Sequence, residues 1–452
     1  MNPHTFARTL SLVAALAGAW TTSSQAEDSA TGTWIWSAEG FRGRAVEATA
    51  TLKQDGSNLS GTYDGGFGKD SIKNGKIDGE TIAFEVVRQF GDRSFTTAFT
   101  GKLAGDAITG KIEMSGFDQP RSADWKAWRA PEIDPSGLWK WSTEGRNGQQ
   151  RDQWVKLAYV EGKLSGTYRT ERGHVAIQDA VLKGKELSFK VERGFGDRVF
   201  ATTYKGTLAD KAITGSITSK RGDEERTSDW NAAPDVAVVD PVGSWSWTTS
   251  LGRDGQETTN TITLSKGDGA TLGGTVKGGF GESKIIDAKL DGDALTFAVV
   301  VETDRGTWNS SYSGKIDEDK LKGKISTHFG ERTMTIPFEA TRTIVAGNPA
   351  GTWTWSNRFG RDGAERVSSL KLKADGTTLT GTLKSGDNET AIKDGKIDGN
   401  MISFKVEREF GGNTMTQAYT GQVRGDLIKG GWQTGDASAN AWISNWEAKR
   451  GE

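Results

Sequence analysis

The chain holds no cysteine in its 452 residues, which excludes disulfides, thiolate zinc sites and cysteine nucleophiles. Histidine is almost as scarce. His4 lies near the start, and His174 and His328 fall at unrelated points of the chain. A recurring Ser-His-Asp triad or histidine metal cluster is therefore excluded. Of only 8 prolines, five fall in the short segments 131–135, 234–241 and 346–349. Those segments read as linkers, and they keep proline out of strand ladders. No apolar run is long enough to span a bilayer as a helix. The formal charge is −2, too balanced to create a field for nucleic acid or an anionic membrane. The expectation is of no cofactor, no bound metal, no nucleic-acid partner and no membrane insertion.

Glycine is abundant, 60 residues, while hydrophobic residues make up 34%. That balance fits many short strands joined by tight turns. Residues 1–26 read as a secretory leader, with Arg8, an apolar run over 10–20 and Ser24-Gln25-Ala26 as a cleavage site. A secreted or periplasmic product cut near Ala26 is expected, and a leader retained as an anchor is the alternative.

The organising motif is Gly-x-Trp-x-Trp, written four times at 32–36, 137–141, 243–247 and 351–355. Its first tryptophans are Trp34, Trp139, Trp245 and Trp353, spaced 105, 106 and 108 residues apart. That is the span of one small domain. Four repeats are expected, at 31–130, 136–233, 242–343 and 350–450. Two tryptophans separated by one residue on a strand share a face, so each repeat opens with a strand presenting two indoles to a core.

Within the first repeat, apolar residues alternate in eight short runs, from Trp34/Trp36 to Ala123/Trp125, and the other repeats follow the same order. No twelve-residue stretch has a helical period. In the fourth run the apolar anchors are five apart: Ile72/Ile77, Ile177/Leu182, Ile285/Leu290 and Ile392/Ile397. An odd spacing cannot put both on one face of a regular strand, so a β-bulge is expected between them. Eight consecutive antiparallel strands with a one-sided core close most simply into an up-and-down barrel. The expected fold class is therefore all-β, four tandem eight-stranded antiparallel barrels, with β-sandwiches as the alternative. Closure would set Trp125, Trp230, Phe338 and Trp446 beside the opening Trp pairs.

The opening G-x-W strand, the L-x-G-x-Y third strand (Leu59/Gly61/Tyr63) and the eight-strand meander resemble the lipocalin and avidin-like barrels. The units also look like tandem repeats of exported bacterial proteins. The resemblance implies the fold and small-molecule binding at one barrel end, and it names no ligand. The repeats are shorter than a lipocalin, show no helix after the barrel, and lack the polar residues with which avidin holds biotin.

Alternate turns of such a barrel lie at opposite ends. The connections at Gln54-Asp55-Gly56, Asp78-Gly79 and Ala104-Gly105-Asp106 are tight hairpins and form a floor. Those at Phe41-Arg42-Gly43-Arg44, 65–70, Phe90-Gly91-Asp92-Arg93 and 115–120 are richer and would line a mouth. Parity on the fifth strand puts Arg88, Arg193 and Arg408 inward near that mouth, with Val301 or Thr303 in the third repeat. On the eighth strand it gives Arg121 and Arg226, and Trp442 takes the same place in the fourth repeat. The second tryptophans, Trp36, Trp141, Trp247 and Trp355, would face these guanidiniums. Two readings stay open: a cation–π plug that closes the barrel top, or a cradle for a sugar or small anion. The loops at 145–148, 252–255 and 360–363 read as turns, and calcium-loop spacing is absent.

For function, the candidates are multivalent binding of a glycan or other extracellular ligand at the mouths, and a structural or adhesive scaffold with plugged barrels. An enzyme is not expected. Paired carboxylates could hydrolyse glycosides, but the recurring Glu85, Glu192 and Glu407 fall on the outward parity.

Overall fold

The structure, a computed structural model, describes residues 29–451 except 40–44, 67, 118, 146–147, 196–197, 222–223, 237–238, 251–256, 268–270, 280, 304–305, 330–331, 359–364, 411–412 and 436–440. The expected leader and the loops at 41–44, 252–255 and 360–363 lie outside the described residues. Most of the first repeat forms one compact unit; residues 34–49 and 64–69 belong with repeats two to four in the other.

Every regular element among the described residues is a β-strand, and each repeat closes on itself. The closing seam joins the first strand to the last. It pairs Trp34 with Arg129, Trp139 with Pro234, Trp245 with Arg342 and Trp353 with Arg450. These are closed antiparallel rings, which decides for barrels over sandwiches. In the third repeat the ring has eight strands, from Gly243–Ser250 to Arg332–Arg342. In the other repeats the fourth strand is broken in two, as at Gly173–Ala176 and Gln178–Lys183.

The expected bulge lies at the same point of all four fourth strands. Pairing with the fifth strand slips between Lys73 and Lys76, Gln178 and Val181, Ile286 and Lys289, and Lys393 and Lys396. One residue in each slip takes a left-handed backbone: Asn74 (φ 53°), Asp179 (48°), Asp287 (54°) and Asp394 (53°). Asn and Asp adopt that conformation more readily than other non-glycine residues. The extra residue restores inward parity, so that Ile77 is buried and Ile177, Leu182, Ile392 and Ile397 pack on their cores.

A layer of aromatic rings fills the middle of each barrel with one repeated geometry. Phe189 and Tyr204 stack at 4.7 Å, and Trp230 stands edge-on to them at 5.6 and 5.4 Å. Phe404, Tyr419 and Trp446 repeat this at 4.9, 5.8 and 5.4 Å, and Phe84, Phe99 and Trp125 at 4.6, 5.7 and 5.4 Å. Offset stacks and edge contacts suit the ring quadrupoles. As expected, the second tryptophan meets the eighth-strand aromatic, at 5.8 Å for Trp141–Trp230, 5.2 Å for Trp247–Phe338 and 5.7 Å for Trp355–Trp446. Each buried indole removes about 200 Å² from water, worth at most about 5 kcal/mol. The indoles need room, and a glycine on the sixth strand supplies it. A Cβ on Gly421 would come 2.7 Å from the Trp446 ring, and one on Gly206 3.1 Å from Trp230.

Candidate functional site

The interior of each barrel is graded from floor to mouth. At the floor the first tryptophan meets an arginine from the end of the eighth strand. Arg129 lies 4.3 Å from the Trp34 ring centre, Arg342 4.0 Å from Trp245 and Arg450 4.2 Å from Trp353. The same groups tie down the preceding linker. Trp353 Nε1 donates to the Pro349 carbonyl at 2.8 Å, and Arg450 donates to the carbonyls of Ala350 and Asn348 at 2.7 and 2.5 Å. Repeat three does the same with Trp245 on Pro241 and Arg342 on Asp240 and Val242. The second repeat has Pro234 at this place, and Trp139 still donates to Pro135.

Above the aromatic layer, on the mouth side, the inward positions of repeats two to four turn polar. In repeat two the Tyr168 hydroxyl donates to Gln153 Oε1 at 2.7 Å, and Gln153 Nε2 donates to Thr143 Oγ1 at 2.5 Å. Burial pushes the Tyr168 phenol above its ordinary pKa while the Arg193 charge pulls against it, and burial pushes Tyr204 up further. In repeat three Asn260 Nδ2 donates to Thr249 Oγ1 at 2.9 Å, the same first-to-second-strand bond, and burial holds Tyr312 at about 12. In repeat four Ser368 donates to Ser385 at 3.3 Å, and Tyr419, also pushed up to about 12 by burial, donates to the buried Gln417 at 3.3 Å.

In the aromatic layer itself, four indole donors are buried without an acceptor among the described residues: Nε1 of Trp141, Trp230, Trp247 and Trp446. Such groups occur rarely in folded proteins. The cups thus set amide and hydroxyl groups above the aromatic layer, a surface suited to a ligand that is polar on its rim and apolar on its faces.

The sequence-predicted residues divide three ways. Arg88 and Arg193 reach the mouth zone. Arg88 Nε bonds Asp70 Oδ2 at 2.5 Å and lies 5.8 Å from the Tyr63 ring. Arg193 lies 4.7 Å from Tyr168, and Arg408 is close enough to Tyr419 to act on its phenol. Contrary to the parity argument, Arg121 and Arg226 are exposed: the eighth strand outruns the ring, so its first residues have no interior to face. Arg121 lies 5.5 Å from the exposed Phe117 ring, and Arg226 meets Glu224 at 3.5 Å. Trp36, Trp141, Trp247 and Trp355 are buried, and Arg88 and Arg193 lie against the third-strand tyrosines Tyr63 and Tyr168. The connection at Gly91-Asp92, expected as a longer mouth loop, is a two-residue hairpin between Thr81–Phe90 and Arg93–Ala104.

Trp442 is the largest departure. Strand parity places it at the mouth of its own repeat, yet it packs against the core of repeat two. Its ring lies 6.4 Å from Tyr168 and 4.8 Å from the Arg193 guanidinium.

No family model and no curated protein matches the chain. Seven solved chains do match. One is from Bacteroides fragilis, described as a "putative outer membrane protein", with 15% identity and a TM-score of 0.19, covering 46% of this chain and 97% of that one. At that score the likeness carries no argument about this chain.

The polar cup and the floor arginines were missed from sequence, although both left a signal. Arg129, Arg342 and Arg450 each stand four residues beyond the eighth-strand aromatic, on its parity. Gln153, Asn260 and Ser368 each stand two residues before the apolar pair of the second strand. Glu85 and Glu407 lie outside the barrel, bonded to Asn74 at 2.8 Å and Lys393 at 2.5 Å. Among the described residues no group of three acidic, histidine or cysteine side chains could hold a metal.

Proposed function

We propose that this is an exported, non-enzymatic binding protein that holds an extracellular glycan in the mouths of its barrels. The observation that carries the reading is the polar cup over an aromatic layer, whose buried indole N–H groups have no acceptor among the described residues. A sugar ring presents apolar faces to aromatic rings and hydroxyls to donors and acceptors at its edge. Several cups on one chain raise the strength of attachment to a polymer even where each is weak. Secretion follows from the leader at 1–26. A water-exposed exterior is supported by the ion pairs on the outward faces, such as Lys111–Asp124 at 2.7 Å, Lys190–Asp179 at 2.7 Å and Lys320–Glu339 at 3.1 Å. A barrel embedded in a bilayer carries an apolar outer band instead.

The test is a glycan-array screen of the chain from residue 27 onward, run beside Gln417→Ala and Arg408→Ala. Binding to a defined glycan that weakens at least tenfold in either variant supports the reading. Binding untouched by both variants removes the mouth of repeat four as a site. Absence of binding to any glycan favours the scaffold.

A further inference from the structure

We infer that the mouth of repeat two is a receptor for a planar aromatic ring, and that the chain keeps it shut with its own Trp442. This deepens the reading of the mouths as binding sites and rests on it. Four observations converge. First, Trp442 comes from a distant part of the chain, immediately before the last strand of repeat four, Ile443–Arg450. It nevertheless counts among the residues packed on the core of repeat two. Second, the ring is held by recognition chemistry rather than by apolar contact alone. Arg193 lies 4.8 Å from the Trp442 ring and 4.7 Å from the Tyr168 ring, so one cation serves both ring faces. Third, a glycine leaves room for the whole segment: a Cβ on Gly173 would come 2.2 Å from the Ile443 carbonyl oxygen and 2.9 Å from Trp442 Nε1 and Cε2. Fourth, the plug is latched by a short strand pairing, Gly173 with Ser444 and His174 with Ile443, and by Asn445 N donating to the Arg172 carbonyl at 3.1 Å.

That latch is brief, two residue pairs long, and it joins two rings that are each already closed. Its release leaves both barrels intact, so the plug can leave without unfolding either. An aromatic ligand of matching size would compete with Trp442 for Arg193 and Tyr168. Beneath it lie Trp141 and Trp230, whose buried indole N–H groups have no acceptor among the described residues.

The experiment uses the whole chain from residue 27, with indole as the probe. Trp442→Ala opens the cup, as truncation of this partly buried side chain leaves a space of indole size over Tyr168 and Arg193. The expected result is one indole site per chain by calorimetry in Trp442→Ala, at least tenfold weaker in the wild type and in Trp442→Ala/Arg193→Ala. Indole should also raise the melting temperature of Trp442→Ala and leave that of the wild type unchanged. If Trp442→Ala loses its cooperative melt, Trp442→Val, which keeps a small apolar contact and leaves most of the indole's volume empty, takes its place. A well-folded variant that binds no indole overturns the inference, as does equal binding in the wild type. Uptake of a glycan but not of indole on opening would overturn the aromatic receptor and leave the mouth reading standing.

Discussion

The Arg342 guanidinium lies 4.0 Å from the centre of the Trp245 ring, and the two residues are also strand partners across the closing seam. One contact therefore closes the ring, covers its floor and, through hydrogen bonds to Asp240 and Val242, fixes the entering linker. Arg450 and Trp353 repeat it. Arg450→Ala is expected to destabilise the fourth repeat by about 2 kcal/mol, from a partly desolvated cation–π contact and lost charged hydrogen bonds. Thermal or urea unfolding would measure it. An unchanged midpoint would mean that the floor is closed by the strands alone.

The bulge residue makes a second test. Asp287 holds φ at 54°, a conformation that costs a β-branched residue about 1–2 kcal/mol. Asp287→Val should lose that much, and Asp287→Gly should stay within about 0.5 kcal/mol of the wild type, since glycine meets this φ without strain. Equal losses in both would show that the aspartate side chain, not its backbone, matters.

Alkaline stability follows from the phenols. Burial holds Tyr419 and Tyr312 at about 12, whereas an unfolded tyrosine loses its proton near 10. Between these values the native state binds more protons than the unfolded state, so stability is complete below about pH 10 and falls as pH rises towards 12. For Tyr419 the two-unit gap corresponds to about 3 kcal/mol. Urea unfolding at pH 8, 10 and 11 should show the decline, and Tyr419→Phe should lessen it. A flat profile would mean that these hydroxyls reach water.

Within the compact unit formed by repeats two to four, one turn makes contacts with both neighbours of its barrel. Asp319 accepts both terminal nitrogens of Arg424, at 3.2 and 2.5 Å, while Glu318 meets Arg169 at 3.3 Å and Asp317 meets Lys156. Asp319 is partly exposed, so Asp319→Ala should cost only about 1–2 kcal/mol. Its signature should be a split of one thermal transition into two in calorimetry. A single transition at the wild-type temperature would show that the repeats are coupled by other contacts.

The amino-acid sequence determined by itself whatever follows from alternation. The repeat period, the strand order, the inward tryptophans and the bulge at Asn74, Asp179, Asp287 and Asp394 all rest on which face a residue takes, and parity is written residue by residue. It also carried the polar cup in principle, because Gln153, Asn260 and Ser368 lie on the inward parity of their strands. What parity cannot say is how far along the barrel axis a side chain sits. Arg121 and Arg226 share a face with Trp125 and Trp230, yet they end up exposed because the strand runs past the ring that would have enclosed them. Arg129, Arg342 and Arg450 find their indoles because strand closure sets a register that no single strand contains. Trp442 shows the limit most sharply. Its parity was legible, but the barrel it enters was decided by the packing of two repeats far apart in the chain, through Gly173, Arg193 and Tyr168, and only the tertiary structure brings those together.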